Sequence, residues 1–205
     1  MPKMKVKEIL ATTAEFYDSF DKDYAEKLCK KFSLSKNKRY NELSRGYESI
    51  VRIVIGLASR SPLTIFDEPV LGLDAAVREM FYKELLEDFM ENPRTIIIST
   101  HLIEESADIF NDIIIIKNGK LISQTSTEEL KESMFYCSGR ADIVDKALSG
   151  YNIIHTESVG SVKVCAVHQK LSPAELKTLR DANLDISPIP VQKLFIYFTD
   201  NNMEA

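Results

Sequence analysis

The chain has 205 residues, 44% hydrophobic and 28% charged, which suits one large domain or a medium domain with a small companion. Its net charge of -5 speaks against a nucleic-acid binder, which usually carries a basic excess. No apolar run approaches the roughly 18 residues of a membrane span, the opening "MPKMKVKEIL" lacks a secretory core, and three scattered cysteines (Cys29, Cys137, Cys165) without metal-ligand spacing suit a reducing cytoplasm.

Residues 4 to 60 read mostly as helix. "FDKDYAEKLCKKF" places Tyr24, Leu28 and Phe32 at i, i+4, i+8, with Asp21 as N-cap. In "NELSRGYESIVRIVIGLASRSP" Ser44 caps a helix that is apolar nearly all round, from Tyr47 through Ile50, Val51, Ile53, Val54, Ile55 and Leu57 to Ala58; such a helix is expected to be buried.

From 61 to 122 the period changes. "LTIFDE" and "RTIIIST" read as short buried strands, "DAAVREMFYKELLEDFMENP" and "HLIEESADIF" as helices. "DIIIIKNGKLISQ" reads as a hairpin on a type I′ Asn118-Gly119 turn. Strands alternating with helices predict an α/β fold with a parallel core, the hairpin closing one edge. "STEELKES" then carries a capping box, Ser126 to Glu129.

A second texture begins near Met134. "MFYCSG", "YNIIHTES" and "SVKVCAV" read as strands and "RADIVDKAL" as a helix; "SPAELKTLRDAN" is a helix with Ser172 as N-cap, Pro173 at N1 and Glu175 at N3. "LDISPIP" is extended, and "VQKLFIYF" sets Val191, Leu194, Phe195 and Phe198 on one helical face. The order β-α-β-β-α-β is that of a ferredoxin-like α+β domain. The expected domains are therefore 1–132 and 133–205, with no internal repeat between them.

Three elements in order have a use around a nucleoside triphosphate. "LSRGY" opens a helix, whose backbone N–H groups, with the Ser44 hydroxyl, suit phosphate oxygens, and Gly46 permits close approach. "TIFDEP" ends a strand: Asp67 is placed to hold Mg²⁺ through water, and Glu68 to orient and deprotonate an attacking water. "STH" ends the next strand, bringing His101 to the same region.

The run "LSRGY … TIFDEPVLGLD … ISTH" resembles the ATP-binding cassette (ABC) ATPases. Leu43, Ser44, Arg45, Gly46 and Tyr47 are similar to the signature motif LSGGQ, "LTIFDE" to Walker B with its catalytic glutamate, "LGLD" with Asp74 to the D-loop, and His101 to the switch histidine. "IKNGKLISQTSTEEL" is similar to the family's usual continuation, and the resemblance covers residues 4 to 132. The "THLIEE" context and the tail resemble bacterial transport ATPases of the drug- and antibiotic-export branch. The resemblance implies a partial P-loop NTPase core with a helical subdomain, ATP and Mg²⁺ as cofactors, Asp67 as metal ligand, and Glu68 and His101 as catalytic groups. The signature and Asp74 would meet ATP held by a second ABC ATPase subunit, in a homo- or heterodimer. It also implies a membrane permease as partner, no nucleic acid, and a cytoplasmic location at the inner face of the membrane.

Departures from the family's pattern are specific. Arg45 replaces a glycine and Tyr47 a glutamine; Ser49 and Ile50 stand where Gln and a basic residue are usual, which weakens the expected signature-side hold on phosphate. The Walker A pattern G-x-x-x-x-G-K-[ST] is missing, and residues 1 to 45 contain no glycine. "MKVKEIL" is similar to the segment after the family's glutamine loop, so the chain reads as beginning inside the helical subdomain, with half of an ATP site. Two functions follow: the ATP-hydrolysing subunit of a transporter without its Walker A half, or a non-catalytic module lending its signature face to another subunit. A DNA-repair ABC protein is disfavoured, because no heptads are sustained. Without the missing half, exposed sheet edges and apolar faces predict poor solubility or dimerisation.

Elsewhere, blander readings prevail. His155 and His168 read as ordinary polar residues, the cysteines as small core residues, and Lys27, Lys30, Lys31, Lys36, Lys38 and Arg39 as a solvated helix face.

Overall fold

The computed structural model describes residues 3–103 and 109–200. The chain divides into two compact units, 1–102 and 103–205. The change of texture near Met134 thus falls inside the second unit.

In the first unit α1 (Val6–Phe16), α2 (Lys22–Lys31) and α3 (Arg45–Ala58) precede β1 (Leu63–Asp67), α4 (Ala75–Glu91) and β2 (Thr95–Ser99). Asp21 caps α2, Ser44 caps α3 and Asp74 caps α4, each carboxylate or hydroxyl accepting a backbone N–H of the first turn. α3 buries Ile50, Val51, Ile53, Val54, Leu57 and Ala58. It is not buried all round, because Tyr47 in its first turn is exposed. β1 and β2 pair in parallel, Leu63 opposite Thr95 and Asp67 opposite Ser99. On the inner face of β1, Thr64 and Phe66 are buried. The Phe66 ring lies so close to α3 that a Cβ on Gly56 would meet it at 2.5 Å, and on its other side it meets Phe81 of α4 edge-on at 5.7 Å. That glycine is what lets the helix sit down on the strand.

The unit is also clamped by buried charge. Asp88 of α4, with its side chain 1% exposed, accepts from Arg94 at 2.6 Å and from Arg60. Arg60 reaches Asp21 at 3.3 Å and lies over the Tyr24 ring. Glu84, 2% exposed, pairs with Lys31 of α2. Such pairs contribute little net energy compared with apolar packing, but losing one partner strands a buried charge. Lys31 and Lys36, read from the sequence as solvated, are instead paired, with Glu84 and Glu26.

In the second unit β3 (Asp112–Lys117) and β4 (Lys120–Ser126) form a hairpin through Asn118 (φ 51°) and Gly119 (φ 73°), both left-handed as a type I′ turn requires. Among the described residues this hairpin is a two-stranded sheet of its own. The helix expected over residues 101–110 falls mostly on 104–108, outside the described residues. α5 (Thr127–Ser133) is capped by Ser126 through the Glu129 N–H, but the Glu129 carboxylate takes its bond from the Thr125 hydroxyl, so the capping box is half made.

β5 (Met134–Arg140), α6 (Ala141–Ala147), β6 (Ile153–Val159), β7 (Val162–His168), α7 (Pro173–Asp181) and β8 (Asp185–Pro188) follow in the expected β-α-β-β-α-β order. They build an antiparallel sheet ordered β6-β7-β5-β8. Alternation along the strands fills two cores. Phe135, Cys137, Cys165 and Val167 pack with Val144 and Leu179, while Met134 and Ala166 pack with Leu194 and Tyr197 of α8 (Val191–Asp200). The Ser172 capping box with Pro173 forms as read. Cys29, Cys137 and Cys165 are buried and free, and burial pushes the Cys29 and Cys137 thiols up to about 11, which removes them as nucleophiles at neutral pH. His155 stacks on Tyr197 and bonds Glu157, and His168 meets Phe198 edge-on. No helix among the described residues is long and apolar enough to cross a membrane.

Candidate active site

Parallel pairing brings the C-terminal ends of β1 and β2 side by side, so the residues leaving them are neighbours despite lying more than thirty positions apart. Asp67 ends β1, and its carboxylate accepts from the hydroxyl of its cross-strand partner, Ser99. The next residue turns sharply. Glu68 has φ 44°, a left-handed conformation disfavoured for a side-chain-bearing residue, and its N–H is fixed to the Ser99 carbonyl at 2.9 Å. This turn swings the Glu68 carboxylate across to the other strand's exit. Oε1 lies 2.7 Å from His101 Nδ1, and Oε2 accepts from the Thr100 hydroxyl at 3.5 Å. His101 is open to solvent (side chain 63% exposed) and Glu68 half-buried.

The alternation that points Thr64 and Phe66 inward turns Leu63, Ile65 and Asp67 the other way. With Ile97 of β2 they make an exposed face, Leu63 at 51%, Ile65 at 64% and Ile97 at 48%. A parallel sheet is normally covered on both sides, and Asp67 with Ser99 stands at the end of this uncovered one.

The fit to magnesium follows from the donor set. Among the described residues no group of three or more His, Cys, Asp or Glu side chains is arranged to hold a metal. One carboxylate beside a hydroxyl matches how Mg²⁺ is bound with a nucleotide, through one or two carboxylates and the phosphates rather than an all-protein cage.

The other predicted site residues lie on the loop and helix beside this turn. Leu43 is half-buried, and Ser44, Arg45 and Tyr47 are exposed on the first turn of α3; the Ser44 hydroxyl is engaged by the Tyr47 N–H at 3.4 Å. Asp74, also exposed, accepts the Val77 N–H at 3.0 Å as the α4 cap. Pro69 to Leu73 joins Glu68 to Asp74, and it rests on α3: a Cβ at Gly46 would sit 2.9 Å from the Gly72 carbonyl. Ser49 and Ile50, 2% and 4% exposed, face the chain's own interior. Ser99 and Thr100 carry no signal as contacts of the site in the sequence; only the phase of the paired strands reveals them.

No protein-family model matches the chain. Among curated proteins it is similar to the ABC transporter ATP-binding protein YtrB of Bacillus subtilis, 28% identical over 130 residues, covering 63% of this chain and 44% of YtrB. It is 40% identical over 103 residues to the putative ABC transporter ATP-binding protein AlbC of the same organism, covering 45% of this chain and 43% of AlbC. With NatA, another B. subtilis ABC transporter ATP-binding protein, it shares 31% identity over 110 residues, 53% of this chain and 44% of NatA. The chain thus spans less than half the length of these relatives. Among solved structures, an ATP-binding subunit of an ABC transporter superposes with a TM-score of 0.57 at 23% identity, covering 64% of this chain and 56% of that one. A dimeric bacterial ABC transporter cassette gives 0.54 at 23% identity, covering 62% and 58%. The mixed α/β fold is that of the ABC ATPases.

Proposed function

We propose that this chain, a relative of the ABC transporter ATP-binding proteins, is the C-terminal part of such a subunit and acts on ATP only when a phosphate-binding segment covers the exposed face of β1 and β2. The observation that carries this reading is the meeting of Asp67, Glu68 and His101 at the exits of two adjacent parallel strands, with Asp67 at the edge of an uncovered apolar face.

On this reading Asp67, held by Ser99, would hold magnesium through water, and the bound ion would supply charge neutralisation to the phosphates. Glu68 takes the proton of the attacking water. His101 donates Nδ1–H to Glu68, fixing the carboxylate's direction and leaving Nε2 available to a phosphate oxygen. The missing contribution is the phosphate cradle, whose lysine and backbone N–H groups supply most of the affinity for the β- and γ-phosphates. An apolar helix of such a segment would cover Leu63, Ile65 and Ile97, as a parallel sheet requires on both faces.

The first turn of α3, with Leu43, Ser44, Arg45, Gly46 and Tyr47, and the α4 cap Asp74 face the ATP of a second ABC ATPase subunit. Arg45 adds a cation that suits phosphate. The assembly drives a membrane permease of the export type from the cytoplasmic face. Titration of the isolated chain with MgATP tests the half-site directly: no saturable binding is expected, and micromolar binding by the chain alone would overturn it.

A further inference from the structure

We infer that Ser49 is a positioning residue, tying the exposed first turn of α3 to the segment that joins Glu68 to Asp74. It rests on the functional reading above for what is being positioned, and on geometry for how.

Ser49 lies one turn into α3 and is 2% exposed. Its hydroxyl donates to the carbonyl of Leu71 at 3.2 Å. Arg52, one helical turn on, donates Nη2–H to the same oxygen at 2.9 Å. With a lone pair occupied by a guanidinium, the Ser49 proton is left for the carbonyl, and the charged donor strengthens the bond it feeds. Leu71 is the midpoint of a tight turn: its N–H returns to the Glu68 carbonyl at 3.2 Å, and the Leu73 N–H returns to Val70 at 3.1 Å. Beside it, Gly72 (φ 82°) lays its carbonyl against Gly46. The turn is therefore held on α3 at two adjacent points, one by contact between glycines and one by the Ser49 hydroxyl. Glu68 leaves this turn at one end and Asp74 at the other. A shift of the α3 first turn carries both with it. The serine that departs from the family's glutamine is thus a strut within the chain rather than a lost phosphate contact.

Amide hydrogen exchange on the full chain, read residue by residue without nucleotide, tests the assignment. Ser49→Ala is expected to speed exchange of the Leu71 and Leu73 amides about ten-fold, the loss of roughly one net hydrogen bond. Ser49→Cys fills the same space with a poor donor and is expected to behave like the alanine variant, while Ser49→Thr restores wild-type rates. A merely space-filling serine would leave Ser49→Cys at wild-type rates. That result, unchanged Leu71 and Leu73 rates in Ser49→Ala, or acceleration shared equally by the buried amides of α3 would overturn the assignment. Failure of the ATPase reading would show as absent turnover in an assembled subunit and would leave the exchange result standing.

Discussion

The Nδ1 atom of His101 lies 2.7 Å from Oε1 of Glu68, across the mouth of two parallel strands. A carboxylate only accepts, so the imidazole must carry its proton on Nδ1. The ¹⁵N shifts of the His101 ring at neutral pH are expected to report the Nδ1–H tautomer, and Glu68→Ala to return the ring to the tautomer mixture of a free histidine. An Nε2–H ring in the wild type would break the link between the two residues.

Glu68 sits at φ 44°, where a residue with a Cβ costs about 1 kcal/mol or more relative to glycine. Its bonds to His101 and Thr100 are partly exposed and return little. Glu68→Gly is therefore expected to raise the stability of the first unit by about 1 kcal/mol, read as a higher urea midpoint by circular dichroism. Destabilisation would mean that the turn is held by the side chain and not in spite of it.

Removing the shared anion of the buried cluster has the opposite sign. Asp88→Ala strands the buried Arg94 without its counter-charge and leaves Arg60 with Asp21 alone, a cost of about 3 kcal/mol. A markedly lower melting temperature of this unit is expected in that variant, read by circular dichroism. Acid probes the neighbouring pair. Burial pushes the Glu84 carboxyl up, but Lys31, Tyr24 and Lys27 outweigh it and hold it below the ordinary 4.5. A carboxyl depressed on folding contributes stability that is present above its unfolded pKa and lost as pH falls through the folded one. Stability of the first unit should thus decline below about pH 4.5, and Glu84→Gln should flatten that decline.

The exposed Leu63, Ile65 and Ile97 predict self-association of the isolated chain. Ile65→Lys places a charge at the centre of that face and is expected to shift sedimentation toward monomer without altering the circular dichroism spectrum. A wild-type chain that stays monomeric at high concentration would mean the face needs no cover.

Much of this was legible in the sequence, for stated physical reasons. Asp21, Ser44, Asp74 and Ser172 have the local chemistry of caps and do cap their helices. The two apolar runs ending in Asp67 and Ser99 pair as parallel strands, and the β-α-β-β-α-β order gives the sheet β6-β7-β5-β8. What the sequence hid depends on distance along the chain. Asp88 looks like a solvated charge on a helix until two arginines, each just ahead of a strand, fold over it. The left-handed turn at Glu68 has no glycine or asparagine to announce it. Tyr47 reads as core because its neighbours do, yet it is exposed while Ser49 and Ile50 beside it are buried.

The central claim is that Glu68 acts on ATP held by a phosphate-binding segment this chain does not contain. Joining the chain to the upstream half of a related ABC transporter ATP-binding protein and measuring both MgATP binding and turnover tests it most directly. The joined protein is expected to hydrolyse ATP, and its Glu68→Gln variant to bind MgATP equally well while losing at least a hundred-fold in turnover, the usual reach of a general base. Equal turnover with and without the Glu68 carboxylate would contradict the account.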